Sequence, residues 1–349
     1  MKKLGKPIYM TAGYNTISLG TGRKEFHPKK PRPGIEHYIE EAGKGALAQV
    51  NDAANIDEGV IANFMAPRFN KQGNLPSLMP LIDPKLEYKP LVSVEGACGS
   101  GGLGLTTATK TILSGMADTV LTVGFEVQNT VKAVYGADIL GGAGHYCTQR
   151  KSGHAYFFPA KFSDRACAAY EKFGYDKVRE AMAKWYERAV LNARECPKAQ
   201  EHHNRTEDLF AAGMTPPNPK AFCECINVFD CSKVSDGGSA VVFASEEGLD
   251  KLGVDKKDTI ELVGYGQVVA DISKDPEDQT KLTTSARAAK AAMEMAGISI
   301  TDVGMLEVHD CFTIGGLLSL EAIGVCGYGE SYDFVREGGT APDGAMPTN

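Results

Sequence analysis

Val94-Glu95-Gly96-Ala97-Cys98-Gly99-Ser100-Gly101-Gly102 carries a cysteine out of a short apolar run, through a glycine-rich turn, into a helix-like stretch. A cysteine at a helix N-terminus has its thiolate stabilised by the dipole and by unpaired backbone N–H groups, which lowers its pKa toward neutrality. Those N–H groups can also hold the oxygen of a thioester. Glycines 99, 101 and 102 each cost roughly 1 kcal/mol relative to alanine inside a helix, so they predict a close approach of backbone or substrate. A structural cysteine beside a glycine packing patch is the other reading of this segment.

Two further stretches carry reactive groups. Met305-Leu306-Glu307-Val308 runs straight into His309-Asp310-Cys311-Phe312. A histidine there is either a satisfied core residue or, beside an activated cysteine, a donor to a substrate carbonyl or a proton carrier. Asp230-Cys231-Ser232-Lys233-Val234-Ser235-Asp236-Gly237-Gly238 leads into an apolar run and reads as a plain turn or a binding loop. Nine cysteines at irregular positions, in a chain too large to need staples, predict reduced thiols. Cys223, Cys225 and Cys231 lack a second pair at zinc-like spacing, and His145, Cys147 and His154 read the same way, so no metal is expected.

The elements that must position these groups follow from periodicity. Residues 35–52 read as a helix with Glu36, Glu40 and Glu41 near its start. Leu91–Val94 and Ala117–Phe125 read as buried strands, with a helix from about 100 to 114 between them. That is a βαβ unit, hence a parallel sheet. Residues 131–220 alternate glycine-rich and aromatic loop with helical segments such as Lys177–Cys196. Strands return at Ser239–Ala244 and Thr259–Gly264, followed by a helix over about 285–296 that Gly297 can cap, then a strand at Met305–Val308. Both chemically potent residues would then stand at carboxyl ends of strands, where open α/β sheets build their sites. Residues 23–34, with five basic residues and three prolines, must be a loop, either solvated or docking an anionic ligand or a partner.

Composition narrows the class. Among 349 residues, 37 basic and 44 acidic side chains leave a net charge of −7, which disfavours a general nucleic-acid binder. Mean hydropathy is −0.21, and no run reaches the roughly 18 apolar residues of a membrane span. The first ten residues lack the apolar core of a signal peptide, so a cytoplasmic protein is expected.

Taken in order, VEGACGSGG, DCSKVSDGGSAVVF and EVHDCF resemble the thiolase superfamily, and HDCF resembles its sterol-carrier-protein-type branch, where histidine replaces the asparagine of an NEAF motif. The resemblance runs from about residue 35 to the end. It implies an α/β fold of duplicated halves, layered α-β-α-β-α, with an inserted helical loop domain. Residues 1–130 would form the N-terminal half, 131–220 a loop domain over the coenzyme A site, and 221–349 the C-terminal half. It implies Cys98 as the nucleophile that takes the acyl group, His309 in the oxyanion hole, and Ser232 near the pantetheine arm, although Lys233 and Ser235 depart from the family pattern there. Coenzyme A would be a co-substrate with no bound cofactor. The assembly would be at least a dimer, with a small zinc-ribbon/OB-fold (DUF35-type) protein as a further partner. Lys161, Arg165, Lys172 and Lys177 fall in the expected loop domain and are candidates for the coenzyme A phosphates.

The reaction so implied is thiolysis of a β-ketoacyl-CoA or the reverse Claisen condensation. The N-terminal stretch GYNTISLGTGRKEFHPKKPRPG is similar to bacterial thiolases acting on unusual acyl groups, benzoylsuccinyl-CoA thiolase among them. The family continues with a Gly-His-Pro and then a Cys-x-Gly segment, and the sequence stops at Pro347-Thr348-Asn349, ahead of both. The alternatives are a condensing enzyme of the hydroxymethylglutaryl-CoA or ketoacyl synthase kind and a non-catalytic coenzyme A-binding scaffold. A cysteine hydrolase is disfavoured because no histidine lies in a protease context.

Overall fold

The computed structural model describes residues 3–150 and 153–349. The chain divides into two compact units, one of residues 1–139 with 234–267 and one of residues 140–233 with 268–349.

The first unit is built on one mixed sheet. Its strands are β1 (Tyr9–Asn15), β2 (Leu19–Gly20), β3 (Glu58–Ala62), β4 (Leu91–Val94), β5 (Thr119–Glu126), β6 (Ser235–Ala244) and β7 (Ile260–Glu261). The order is β4-β3-β5-β6-β1-β7, with β2 on β6. The expected βαβ unit is present, but β3 lies between its two strands and pairs in parallel with both, Ala62 standing opposite Val94 and Gly124. β6 is antiparallel to β5 and β1, so the sheet is mixed where an all-parallel one was expected. The strand expected over 259–264 is cut to two residues.

Helix α1 (Ile35–Leu47) and helix α2 (Ser100–Ser114) pack on this sheet. Side-chain alternation along β5 decides what each covers. Leu121, Val123 and Phe125 join Tyr38, Ile39 and Ala42 of α1 in one core, while Val120 joins Ala108 and Ile112 of α2 in another. Burial of that apolar surface contributes about 25 cal/mol per Å² removed from water. Gly104 lets α2 come this close, since a Cβ there would lie 2.9 Å from Thr122 Cγ2.

The second unit is helical. Helices α3 (Phe157–Phe173) and α4 (Tyr175–Glu195) meet at Gly174, whose φ of +90° suits glycine. Helices α5 (Thr283–Ala296), α6 (Thr313–Ile323) and α7 (Ser331–Arg336) follow. Residues 313–320 of α6 are buried on every side, as an apolar helix inside a core should be. They pack with Ala166, Val178, Met182 and Trp185. Met305–Val308 does not form the expected strand: a strand needs a partner along its length, and only Leu306 finds one, bridging to Thr348.

One expectation about the cysteines is overturned. Cys167 and Cys225 form a disulfide across α3 and the segment before Asn227, with Cα atoms 5.3 Å apart, a separation within the range that a disulfide spans. The other seven cysteines are free thiols. Among the described residues no group of three or more His, Cys, Asp and Glu side chains is placed to hold a metal ion. No helix among them is long and apolar enough to cross a membrane.

Candidate active site

In the first unit Cys98 lies in a single 3-10 turn, Ala97–Gly99, between β4 and α2. The turn is strained: Ala97 has φ +50°, a left-handed conformation that a residue with a Cβ seldom adopts. Four hydrogen bonds hold it. Ala97 N donates to Glu95 Oε1 at 2.6 Å, Gly96 N to Ser100 Oγ at 3.0 Å, Ser100 Oγ to Ala97 O at 2.7 Å and Gly99 N to Gly96 O at 2.9 Å. The cysteine is exposed. Among the described residues, nothing beyond the glycines' own chain neighbours and helix backbone would lie within 4 Å of a Cβ at Gly99, Gly101 or Gly102, so the helix start beside the thiol is bare.

The electrostatics correct the expected activation. The Cys98 thiol is pushed up, because the protein around the sulfur disfavours the thiolate and Glu126 repels it. The residue's own backbone N–H opposes this only in part. A helix start alone does not make a low-pKa thiol when the surrounding protein desolvates the sulfur.

The repelling acid was not singled out in the sequence. Glu126 ends β5, and its carboxylate accepts from Phe64 N at 3.0 Å and Met65 N at 3.3 Å, just beyond β3. Burial pushes its own pKa up and Asp236 adds to this, while the two amides and Asn63 pull it down. Asn63 is buried between the strand ends, donating from Nδ2 to Phe125 O at 2.8 Å and accepting from Ala66 N at 2.7 Å. Asp236, also buried, accepts from Gln128 N, Asn129 N and Asn129 Nδ2 at 2.8–3.1 Å. The missed signal was the apolar run Thr119–Phe125 ending in an acid, the same pattern that marked His309.

In the second unit His309 is exposed while its neighbours are held. Val308 N donates to Asn349 Oδ1 at 2.7 Å, Trp185 Nε1 donates to Asp310 Oδ2 at 2.8 Å, and Phe312 stacks on Phe162 with ring centroids 4.2 Å apart. Ser232 N donates to Cys311 O at 2.9 Å, beside a bridge between Cys231 and Phe312. The structure thus places Ser232 and His309 on adjoining backbone, and Cys98 in the other unit. Beneath them Asp230 accepts from Arg179 Nη1 at 2.7 Å, Asn227 N at 2.8 Å and Thr313 Oγ1 at 2.8 Å. The backbone on either side of His309 is thus held in place.

The four candidate phosphate-binding cations already have partners in the chain. Lys161 lies 3.9 Å from Asp164 and Asp275, Arg165 donates to Gln279 O, Lys172 donates to Tyr328 Oη at 2.5 Å, and Lys177 to Asp333 at 2.6 Å.

Residues 266–349 match the family described as thiolase C-terminal domain-like. An acetyl-CoA acetyltransferase of Methanothermobacter thermautotrophicus is 29% identical over 314 residues, covering 89% of this chain and 78% of that protein. Over most of its length the chain is thus similar to proteins of the thiolase superfamily. It is also similar to the benzoylsuccinyl-CoA thiolase subunit BbsB of Thauera aromatica, 26% identical over 86% of this chain and 75% of that one, and to human sterol carrier protein 2, 25% identical over 95% and 60%. Among solved structures, the Ltp2-ChsH2(DUF35) aldolase superposes with a TM-score of 0.75 at 20% identity, covering 99% of this chain and 84% of that one. Human mitochondrial 3-ketoacyl-CoA thiolase in complex with CoA gives 0.67 at 17%, covering 96% and 92%. The thiolase fold and the α/β class expected from the motifs therefore hold.

Proposed function

We propose that the protein transfers acyl groups to and from coenzyme A through a thioester on Cys98, cleaving a β-ketoacyl-CoA or forming one by Claisen condensation. The observation that carries this reading is the exposed Cys98 in a strained, hydrogen-bonded turn at a bare helix start. In thiolysis the Cys98 sulfur attacks the ketone carbon, the bond between the α and β carbons breaks, and acyl-CoA leaves as its enolate to be protonated. Coenzyme A thiol then takes the acyl group and Cys98 regains its proton. His309 holds the thioester or enolate oxygen, and Ser232 lies along the pantetheine arm.

The acyl group in this reading is aromatic or dicarboxylic, of the benzoylsuccinyl kind, supported by likeness to the Thauera thiolase subunit. Residues 131–220 form the cover over coenzyme A, between halves 1–130 and 221–349. The protein works in the cytoplasm as a dimer or larger assembly, and likeness to the Ltp2-ChsH2(DUF35) aldolase supports a DUF35-type partner. Acid-quenching the protein with acyl-CoA and mapping the adduct by mass spectrometry tests this. One acyl group on Cys98, lost in Cys98→Ser, is the expected result, and an unmodified Cys98 overturns it.

A further inference from the structure

None of the fourteen residues of α5 is buried, and its first turn opens onto a cleft of about 320 Å³ in the second unit, at the lower end of the range of small-molecule sites. Leu282 and Ala286 line it from α5, Leu318 and Ala322 from α6. Glu321 and Ala322 stand about 12 Å along α6 from Thr313, so the cleft lies at the far end of that helix from the His309 segment.

The α5 end of the cleft is electropositive. The N-cap of α5 is Leu282, which has no side-chain oxygen, and the first turn carries no acid. The amides of Thr283, Thr284 and Ser285 therefore donate to nothing among the described residues, and the positive end of the helix dipole is uncompensated. Lys281, just ahead of this turn, and Lys172 lie 3.5 Å and 3.4 Å from one carboxylate, Asp278, and 4.6 Å and 4.8 Å from the centre of the Tyr328 ring. Asp278 already accepts from Thr280 N at 2.9 Å and Tyr328 Oη at 3.1 Å, so two ammonium groups share a single negative charge. The Tyr328 oxygen is taken up by Lys172, Thr280 and Asp278, which fixes its ring as part of the wall.

The opposite end is not positive. Glu321 accepts from Ser331 N at 3.3 Å and Ser331 Oγ at 2.6 Å. Behind it Tyr332 is fully buried, and its hydroxyl, acted on by Glu321, Tyr328 and Asp278, has no partner among the described residues. An unused donor thus stands at the inner wall.

We propose that this cleft binds a small amphipathic carboxylate, an aliphatic or aromatic acid whose apolar body lies against Leu282, Ala286, Leu318 and Ala322 and whose carboxylate meets Lys281 and the first turn of α5.

A single charge in excess suits a carboxylate, whereas a phosphate dianion would need a second unpaired cation. Apolar walls next to that charge select an acid with a hydrocarbon body over a bare anion. The site is separate from Cys98, so the inference stands apart from the acyl-transfer reading.

The test is a ligand-detected NMR titration of the full chain with octanoate, octanol and inorganic phosphate. Octanoate should saturate with a Kd of about 1 mM or tighter, and octanol should bind at least roughly fivefold more weakly. Phosphate should not displace octanoate. Lys281→Gln should weaken octanoate roughly fivefold while Lys281→Arg stays near the wild type, and Ala286→Trp, which fills the cleft, should abolish binding. Cys98→Ser should bind octanoate as the wild type does. No saturation by about 10 mM octanoate, octanol binding as tightly, displacement by phosphate, or unchanged octanoate binding in Lys281→Gln or in folded Ala286→Trp overturns the inference. Weakened binding in Cys98→Ser overturns it too, by placing the octanoate at the cysteine. Should Ala286→Trp fail to fold, the comparison of octanoate with octanol on the wild type decides alone.

Discussion

Trp185 donates its indole N–H to Asp310 at 2.8 Å, so the residue beside His309 is held by a side chain that is itself only 5% exposed. The same indole leaves no room at position 316, where a Cβ would lie 2.3 Å from Trp185 Cε2. Gly316→Ala should displace the ring and cost about 1–3 kcal/mol of stability. Trp185 is the one tryptophan of the chain, so its fluorescence reports on this contact alone. A red-shifted emission with a lowered denaturation midpoint is expected, together with slower acyl transfer. Unchanged emission and midpoint would show that α6 accommodates the methyl group.

Arg179 and Asp230 are both fully buried and form a two-pronged ion pair. Arg179→Met leaves a buried carboxylate without its cation, and about 3–5 kcal/mol should be lost. Adding Asp230→Asn should restore part of this, since the amide oxygen can still accept from Asn227 N while the amide NH2 donates to Thr313 Oγ1, whose hydroxyl can turn to accept. Urea denaturation of the two variants decides the matter. A cost below about 1 kcal/mol for Arg179→Met would mean that the pair holds nothing in place.

Tyr38 is 1% exposed, and its hydroxyl has no hydrogen-bond partner among the described residues. Burial, then Asp236 and Glu41, push its pKa up to about 12. The folded state therefore keeps a proton that the unfolded state releases near pH 10. Stability from this group is full below about pH 10 and lost as pH rises toward 12. Tyr38→Phe should leave stability at pH 7 within about 1 kcal/mol of wild type, on the stabilising side, and should flatten the alkaline decline. Tyr170, also pushed up to about 12, keeps its own share. Thermal melts from pH 7 to 11 would show it; an equally steep alkaline decline in Tyr38→Phe contradicts it.

With Cys167 and Cys225 joined, seven of the nine cysteines should react with a thiol reagent in denaturant, and all nine after reduction. The bond closes a loop with a sequence separation of 58, so its reduction should cost about 2–5 kcal/mol. Nine thiols before reduction would show the bond to be absent in solution.

Much of this was legible in the chain itself. The turn at Cys98 was visible because strand, glycine-rich turn and helix are local signals, and α2 spans the stretch expected of it. The surroundings of the thiol were not, because the burial that pushes it up is tertiary and the end of β5 is brought to this edge only by its pairing with β3, which carries no clear alternation in Glu58–Ala62. Met305–Val308 had the composition of a strand and failed to become one, since a ladder depends on a neighbour that composition does not reveal. The disulfide was missed for the same reason: Cys167 and Cys225 meet through tertiary packing alone.

The first unit draws its sheet from two stretches of chain, and its longest ladder pairs β5 with β6, Glu126 standing opposite Gly237. A ribosome adding about 5–20 residues per second needs roughly 5–20 s to traverse the intervening segment. Throughout that interval β5 has emerged with one edge unpaired, an apolar strand open to mispairing with other nascent chains. Synthesis of this protein therefore makes a demand on chaperones that its finished stability does not disclose. Slowing translation within codons 140–233 should lower its soluble yield more than the same delay placed after codon 267.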